Sequence, residues 1–451
     1  DSRMMEIETD PEIVVLVDAA QLASDSGALS LAVTSLRQRF PASLIWCPGI
    51  SSPDNLALLT MMGVDLHDLT RTRQAAIRGF AMTGDGPSSA LGELEPNEHL
   101  SEWEREVKIV KAAIDSGTLR NLVEKRSLNS AKYVEELRIH DRLMRSSFSS
   151  CHDGESEEFQ VVAEGCEVPL KRFTKRDVRL RCDSPTSADN PLIRDWHRRM
   201  AEEYLPPEES SQVLVLLPCS ARKPYSYSQS HRRFRRVLRH RLHHEVMVTA
   251  PLGLVPRELE ELWPASHYDI PVTGEWTQDE LSLIHRLVQS LTERGGYELV
   301  IDHSGIGFSE ESLGVEVIDT RQGDSAGSEA ALSRLEGASE NAAERFGTQS
   351  VNERSHLLIK FRSVSRWLHG SDSWLDGCRV AGKPPRWKIV KEKEQMAMWH
   401  PDDGRFAFSK ASLPTLLDTR TLSRLHIHDG PEWRGDVFTP MVDRVDGDVR
   451  V

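Results

Sequence analysis

Residues 213–234 read VLVLLPCSARKPYSYSQSHRRF, and the fold turns on how that stretch is read. Val213 to Leu217 are five consecutive aliphatic residues closed by Pro218, the pattern of a strand buried on both faces of a mostly parallel sheet. The same pattern recurs at Glu245–Ala250, at Glu298–His303 and, more weakly, at Val315–Asp319. Between them, residues 278–294 carry a helical period at Leu281, Ile284, Leu287, Val288 and Leu291. Thr277 and Glu280 form a capping box at its start and Gly295-Gly296 a stop at its end. Apolar strands alternating with helices predict an α/β layered domain. In such a sheet the residues after a strand's carboxyl end build the ligand site, which puts Cys219 and the loop behind it at that edge.

Outward from this block the chain divides into five parts. Residues 1–150 open with strand–helix–strand–helix–strand: Glu12–Asp18, Gly27–Phe40, Ser43–Cys47, Asp54–Met62 and Val64–Asp68. These βα units suit a partial TIM-barrel-like region, since three strands are too few to close a barrel of eight. Residues 84–98 read as loop and 99–145 as a charged helical tail. The second part, 151–320, holds the layered domain, with a helix expected near 194–204. Residues 321–352, rich in Ala, Gly, Ser and Glu, read as a linker or a surface helix. Residues 353–435 form a small α+β module with a hairpin turning at Asp403-Gly404, and 436–451 begin a further piece.

Composition narrows the function classes. The 451 residues carry 56 basic and 70 acidic side chains, a net charge of −14, which speaks against a generic nucleic-acid coat protein. Eight of the basic residues (Arg222, Lys223, Arg232, Arg233, Arg235, Arg236, Arg239 and Arg241) fall between Ser220 and His244 with no acidic residue among them. The rest of the chain is therefore at −22. A dense positive patch on a negative protein focuses an anionic ligand, a phosphate backbone being the simplest; the plainer reading is a solvated basic helix. No apolar run approaches a membrane span and no signal segment opens the chain, so a cytoplasmic protein is expected. Six scattered cysteines without a CxxC pair support neither a disulfide scaffold nor a zinc site. No cofactor is expected, since there is neither a Walker loop nor a GxGxxG.

The chemistry concentrates in the loop after the first strand of the block. Cys219 has Arg222, Lys223 and His231 close in sequence, the setting that lowers a thiol pKa and makes a nucleophile. Tyr225 and Tyr227 offer rings for base stacking. Alternatively, Cys219 is a buried thiol at a strand end. Two more segments add polar groups near strand ends: TAPLGLVPRE (249–258), expected as a shaped loop, and PASHYDIPVTGEW (264–276). Arg257, His267, Asp269, Thr273 and Asp302 are candidates for substrate contact. Glu258, Asp269 and His267 are also candidates for acid/base work, although each alone is a common structural hydrogen-bonding residue.

Taken together, PCSARKPYSYSQSH, TAPLGLVPRELE and HYDIPVTGEW resemble the archaeosine synthases, archaeal paralogues of tRNA-guanine transglycosylase. The family signature falls on Pro218, Cys219, Lys223, Pro224, Tyr225, Ser228 and His231. Upstream, WCPGISSPDNLALLTMMGVDLHD resembles the last strands of the transglycosylase barrel, with Asp68 near the place of its nucleophilic aspartate. Residues 436–451 resemble the opening of a PUA RNA-binding domain. Most of the barrel and of the PUA domain are missing from the resemblance, and the expected cysteine-rich zinc motif is replaced by GDGPSSALGELEPNEH. Base exchange is therefore not expected.

The resemblance implies a transferase acting on tRNA that carries 7-cyano-7-deazaguanine in its D-loop. Lysine, or nitrogen derived from glutamine, adds to the nitrile to give an amidine, and a radical SAM partner completes the base when lysine is the donor. On this reading Cys219 attacks the nitrile, Lys223, His231, Tyr225 and Ser228 complete the catalytic loop, and Arg222, Arg232, Arg233, Arg235, Arg236 and Arg239 hold tRNA phosphates. A homo-oligomer is expected. The alternatives are a catalytically silent tRNA-binding or scaffold subunit and, more remotely, a hydrolase acting on a flipped base.

Overall fold

The computed structural model describes residues 11–40, 42–89, 96–146, 179–182, 184–239, 243–270, 276–347, 352–401 and 404–418. The expected PUA-like start at 436–451, Thr273 and Arg241 lie outside the described residues. The chain falls into two compact units that meet in sequence at Asp195/Trp196.

In the first unit, β1 (Ile13–Val15) pairs in parallel with β2 (Leu44–Trp46). Between them runs α1 (Ala28–Arg39), and α2 (Leu56–Met62) follows β2. Val14, Leu16, Ile45 and Cys47 face inward, joining Val33, Leu36, Leu58, Leu59 and Met62 in one core. The expected third strand at 64–68 is reduced to a single parallel bridge between Trp46 and Leu66. No barrel closes among the described residues. The region read as loop from residue 84 instead starts with a hairpin, β3 (Phe80–Thr83) and β4 (Gly86–Ser89). Its turn is tied by Arg126, which pairs with Asp85 and holds buried Glu106 at 2.9 Å. That clip joins side chains 20 and 41 positions apart, which no local pattern announces. The helical tail is α3 (Pro96–Ser116), α4 (Leu119–Ser127) and α5 (Ala131–Ser146).

The second unit is built on a five-stranded sheet. Its strands are β5 (Val213–Pro218), β6 (His244–Thr249), β7 (Gly253–Pro256), β8 (Leu299–Asp302) and β9 (Glu316–Asp319). The order is β9-β8-β5-β6-β7, parallel except for β7 at one edge. Strand β5 is central and its five aliphatic residues are fully buried, as a strand covered on both faces must be. The connecting helices are α6 (Gln229–Leu238) between β5 and β6, and α7 (Gln278–Gly295) between β7 and β8. The Thr277/Glu280 capping box forms, and Gly296 closes α7 with φ +71°.

The segment read as a shaped loop at 249–258 contains strand β7. Gly253, at φ +72°, lets the chain reverse after Thr249 so that Gly253–Pro256 pairs back along β6. Trp196 Nε1 donates to the Leu254 carbonyl at 2.9 Å. Of the two readings of 321–352, the structure has a helix, α8 (Glu329–Phe346), with Ala331, Leu335, Ala338 and Ala342 buried. Its small side chains let it pack close against α6 and β8.

The tail is α+β as its patterning predicts. Helix α9 (Glu353–His369) backs an antiparallel meander of β10 (Cys378–Lys383), β11 (Arg386–Lys391), β12 (Glu394–His400) and β13 (Arg405–Phe408). Trp374, Trp399, Phe361 and Phe406 form its aromatic core, with ring centroids 5.0–5.8 Å apart along the contacts. The meander leans on the layered domain. Lys360 pairs with Glu261 at 2.6 Å, Trp399 Nε1 donates to the same carboxylate at 3.0 Å, and a Cβ on Gly404 would lie 2.7 Å from the Glu261 carbonyl oxygen.

Candidate functional site

Strands β5 and β6 run in parallel with Pro218 opposite Val248. The next residue of each, Cys219 and Thr249, therefore come side by side at the carboxyl edge of the sheet. The Thr249 hydroxyl lies near enough to Cys219 to favour its thiolate. It also bonds the Tyr268 hydroxyl and lies 3.0 Å from the Ala250 carbonyl. The Tyr268 hydroxyl in turn meets that of Tyr225. Above the Tyr268 ring sits Lys223, its Nζ 4.0 Å from the ring centroid, in cation–π range.

Cys219 is only partly exposed. Burial raises its thiol pKa above the ordinary value, and the Lys223 charge and the Thr249 hydroxyl offset part of that rise. This corrects the expectation of a thiol with lowered pKa: desolvation of the anion outweighs one nearby cation. Burial likewise drives the Tyr225 and Tyr268 phenols up, so both are neutral donors at pH 7.

His231 is completely buried. Its Nε2 lies 3.0 Å from the Pro218 carbonyl and its Nδ1 2.9 Å from Arg257 Nη2. The guanidinium and the carbonyl fix the tautomer, with the proton on Nε2 and a lone pair on Nδ1. Burial, then the Arg257 charge, holds its pKa well below 6.5. Both ring nitrogens of His231 are thus engaged by the protein, which ties the end of β5 to Arg257. Arg257 is likewise committed. It pairs with Glu245 at 2.8 Å and Glu260 at 3.0 Å, and Glu260 also accepts the Ser226 N–H at 3.0 Å. One guanidinium therefore anchors the Cys219 loop at two points.

Other expected site residues separate in the same way. Ser228 caps α6 by accepting the His231 N–H. Asp302 spends its carboxylate on the turn after β8, accepting from Ser304 N at 2.8 Å and Ser304 Oγ at 2.6 Å. Glu258 is buried at the far end of β6, accepting from the Tyr204 hydroxyl and lying 3.3 Å from His244. His267 bonds Ser266 through Nδ1 at 2.7 Å, and Asp269 is exposed beside Tyr268. Asp68, in the first unit, accepts from Gly49 N at 2.8 Å, Thr70 N at 2.9 Å and Trp46 Nε1 at 3.3 Å. Burial pushes its carboxyl up, and those donors overcome it, leaving the pKa below the ordinary value.

The basic stretch resolves into parts. Helix α6 turns His231, Phe234 and Leu238 inward and presents Arg232, Arg233 and Arg236 to solvent. Those three make no ion pair among the described residues. Arg239 instead pairs with Glu336 and, at 3.4 Å, Glu340 of α8, and Arg235 is half-buried near Glu245. Tyr225 cannot stack on a base, being fully buried, whereas Tyr227 is 45% exposed with the Arg222 guanidinium 5.9 Å from its ring. Sequence reasoning did not single out Thr249 and Tyr268. Thr249 was detectable as the polar residue ending an apolar strand; Tyr268 was one of several polar residues in its segment. Among the described residues, no group of three or more His, Cys, Asp or Glu is arranged to hold a metal ion. No described helix is long and apolar enough to cross a membrane.

Residues 193–338 match a family described as a domain of unknown function, DUF5591, which spans β5 through the first half of α8. The chain is 28% identical to the archaeosine synthase subunit alpha of Methanosarcina acetivorans, over 88% of this chain and 67% of that protein. It is 28% identical to the archaeosine synthase subunit alpha of Thermoplasma acidophilum, over 90% of this chain and 74% of that one. The chain is similar to the archaeosine synthases. To the archaeosine synthase of Haloferax volcanii identity rises to 31%, over 64% of this chain and 49% of that protein. A crystal structure of a protein of unknown function aligns with 53% of this chain and 79% of its own at 22% identity and a TM-score of 0.39.

Proposed function

We propose that this chain is a tRNA-modifying transferase of archaeosine biosynthesis, acting in the cytoplasm on the nitrile of 7-cyano-7-deazaguanine in the D-loop of tRNA. What supports the reading is the meeting of Cys219, Lys223, Thr249 and Tyr268 at one strand end, in a chain similar to archaeosine synthases. The thiol adds across the nitrile: a sulfur–carbon bond forms, and the thiol proton passes to the nitrile nitrogen, giving a thioimidate. The amine of lysine, or of a glutamine-derived donor, then attacks the same carbon. A carbon–nitrogen bond forms, the carbon–sulfur bond breaks, and the proton shed by the amine returns to sulfur. Lys223 favours the thiolate that leaves. Arg232, Arg233 and Arg236, with the Arg222–Tyr227 pair, supply cations and one ring for the RNA. When lysine is the donor, a radical SAM partner completes the base.

Mass spectrometry of nitrile-bearing tRNA incubated with the protein and lysine tests this. A mass gain of one lysine is expected. No change would reduce the chain to a tRNA-binding subunit, and loss of the base would make it a hydrolase. Cys219→Ser tests the covalent step, which an adduct formed at the normal rate by that variant would eliminate.

A further inference from the structure

The carboxyl edge of the layered sheet carries a cation that the Cys219 loop does not account for. Strand β8 lies between β5 and β9, with Asp302 opposite both Leu216 and Asp319. The segments after β8 and β9 therefore emerge at the same edge as Cys219, where such sheets bind ligands. Just past β9, Arg321 is half-buried and makes no ion pair among the described residues. The acidic groups of its own loop are spent elsewhere. Asp319 accepts from the N–H of Arg321 at 2.8 Å and of Gln322 at 3.2 Å, and Asp324 pairs with Arg334 at 2.6 Å. Two carbonyls hold the guanidinium instead, Nε donating to Asp324 at 2.8 Å and Nη1 to Ser304 at 3.0 Å. Nη2 has no partner among the described residues. A half-buried charge held in place by neutral groups keeps its attraction for an anion.

The loop after β8 adds neutral donors. The Asp302 carboxylate takes the N–H of Ser304 at 2.8 Å and of Phe308 at 3.4 Å, and the Ser304 hydroxyl takes that of Ile306 at 3.2 Å. The N–H groups left over belong to Gly305 and Gly307, at φ +82° and +88°. Both glycines are exposed, and neither N–H has a partner among the described residues. A Cβ on Gly305 would collide with Arg321 Nη1, whereas one on Gly307 would meet no atom within 4 Å. The guanidinium is thus seated against the first glycine, and the second borders open space. We propose that Arg321, with the Gly305 and Gly307 N–H groups, forms a further phosphate site that takes a phosphodiester of the RNA. A guanidinium beside free glycine N–H groups is chemistry suited to an oxyanion. The carboxylate of an amino-acid donor shares that chemistry, and continuity favours the phosphate. Arg233 Nη1, on the solvent face of α6, would lie 3.8 Å from a Cβ on Gly327, in the loop that Arg321 opens. The positive face of α6 therefore runs on to that loop. The inference rests on RNA being the partner, as in the proposed function, and not on the chemistry at Cys219.

The experiment is filter binding of nitrile-bearing tRNA to the full chain across a salt series, with no lysine present. Arg321→Gln is expected to reduce the slope of log affinity against log salt by about 1. Affinity at about 0.1 M salt should fall about five- to eightfold, the counterion-release worth of one phosphate. Gly305→Ala, whose methyl group displaces the guanidinium, should give the same loss. Phosphate-ethylation interference supplies a readout that a merely structural role would not move. One or two phosphates whose ethylation weakens binding to wild type should cease to matter in Arg321→Gln, while those read by Arg232, Arg233 and Arg236 keep their effect. A slope equal to wild type overturns the proposal, and a raised KM for lysine beside it would assign the groups to the donor's carboxylate. An interference pattern unchanged in Arg321→Gln overturns it too, whatever the loss of affinity. If wild type itself shows no salt-dependent binding of tRNA, the site falls together with the RNA reading. If the slope and the pattern change as expected and the tRNA still gains no mass with lysine, the phosphate site stands and the transferase reading fails.

Discussion

Replacing Arg257 by methionine tests how the site is held. The guanidinium is 14% exposed and lies between two carboxylates exposed to 13% and 4%, Glu245 and Glu260. Methionine fills similar volume but strands two buried anions near each other. Removing one partner of a buried ion pair costs about 3–5 kcal/mol, mostly the desolvation of the charge left behind. Against a typical domain stability of about 5–15 kcal/mol, that is a large share. Urea unfolding followed by tryptophan fluorescence measures it, since Trp196, Trp367, Trp374 and Trp399 all lie in the second unit. Arg257→Met is expected to lower the unfolding midpoint by the equivalent of about 3–5 kcal/mol. Adding Glu245→Gln and Glu260→Gln to that variant should recover more than half of the loss, because the anions are then neutral amides. A single variant within about 1 kcal/mol of wild type would refute the reasoning, as that is the worth of an exposed pair. So would a triple variant no more stable than the single one.

Further outcomes follow from the same geometry. His231 has a native pKa well below 6.5, so below pH 6.5 the unfolded chain binds the proton that the native one refuses. That contribution to stability is complete above 6.5 and is lost as pH falls, by up to about 1.4 kcal/mol per pH unit for one proton. Urea midpoints taken between pH 7 and 5 should therefore decline less steeply in His231→Gln than in wild type, and parallel curves would exclude the linkage. The triple variant Arg232→Gln/Arg233→Gln/Arg236→Gln should reduce the slope of log affinity for tRNA against log salt by roughly 2–3, measured by filter binding, whereas Arg239→Gln, whose partner is α8, should leave the slope nearly unchanged. Thr277→Ala removes the cap of α7 and should cost about 1 kcal/mol in the same urea assay.

What the sequence made legible is what local pattern controls. The aliphatic run of β5, the 3.6-residue period and capping box of α7, and the hairpin of β12 and β13 are each encoded within their own residues. So is the loop that carries Cys219, because a strand end followed by Pro218 locates it. What escaped is pairing at a distance. Strand β7 depends on Gly253 folding the chain back along β6, and four residues between two prolines gave no alternation to read. The β3–β4 hairpin depends on Arg126, some forty positions away. The partners of Arg257, His231 and Asp302 depend on who stands beside them: residue type suggested substrate contact and catalysis, and the fold adds buried protein partners that no local pattern announces. The lowered thiol pKa failed for a related reason, since nearness in sequence to Lys223 and arginines says nothing of desolvation.

The contact between the tail meander and the layered domain bears on how such genes can be cut and joined. The matched family segment stops at residue 338, inside α8, while α9 packs on the turn at Arg257–Leu259 and Lys360 and Trp399 grip Glu261. An excised 193–338 fragment would keep the cysteine loop but lose half a helix and the buttress behind Arg257. The packed unit around the Cys219 loop is therefore longer than the matched segment. Transfer of the matched segment alone would deliver the Cys219 loop without the frame behind Arg257, whereas transfer of residues 193–418 would carry both.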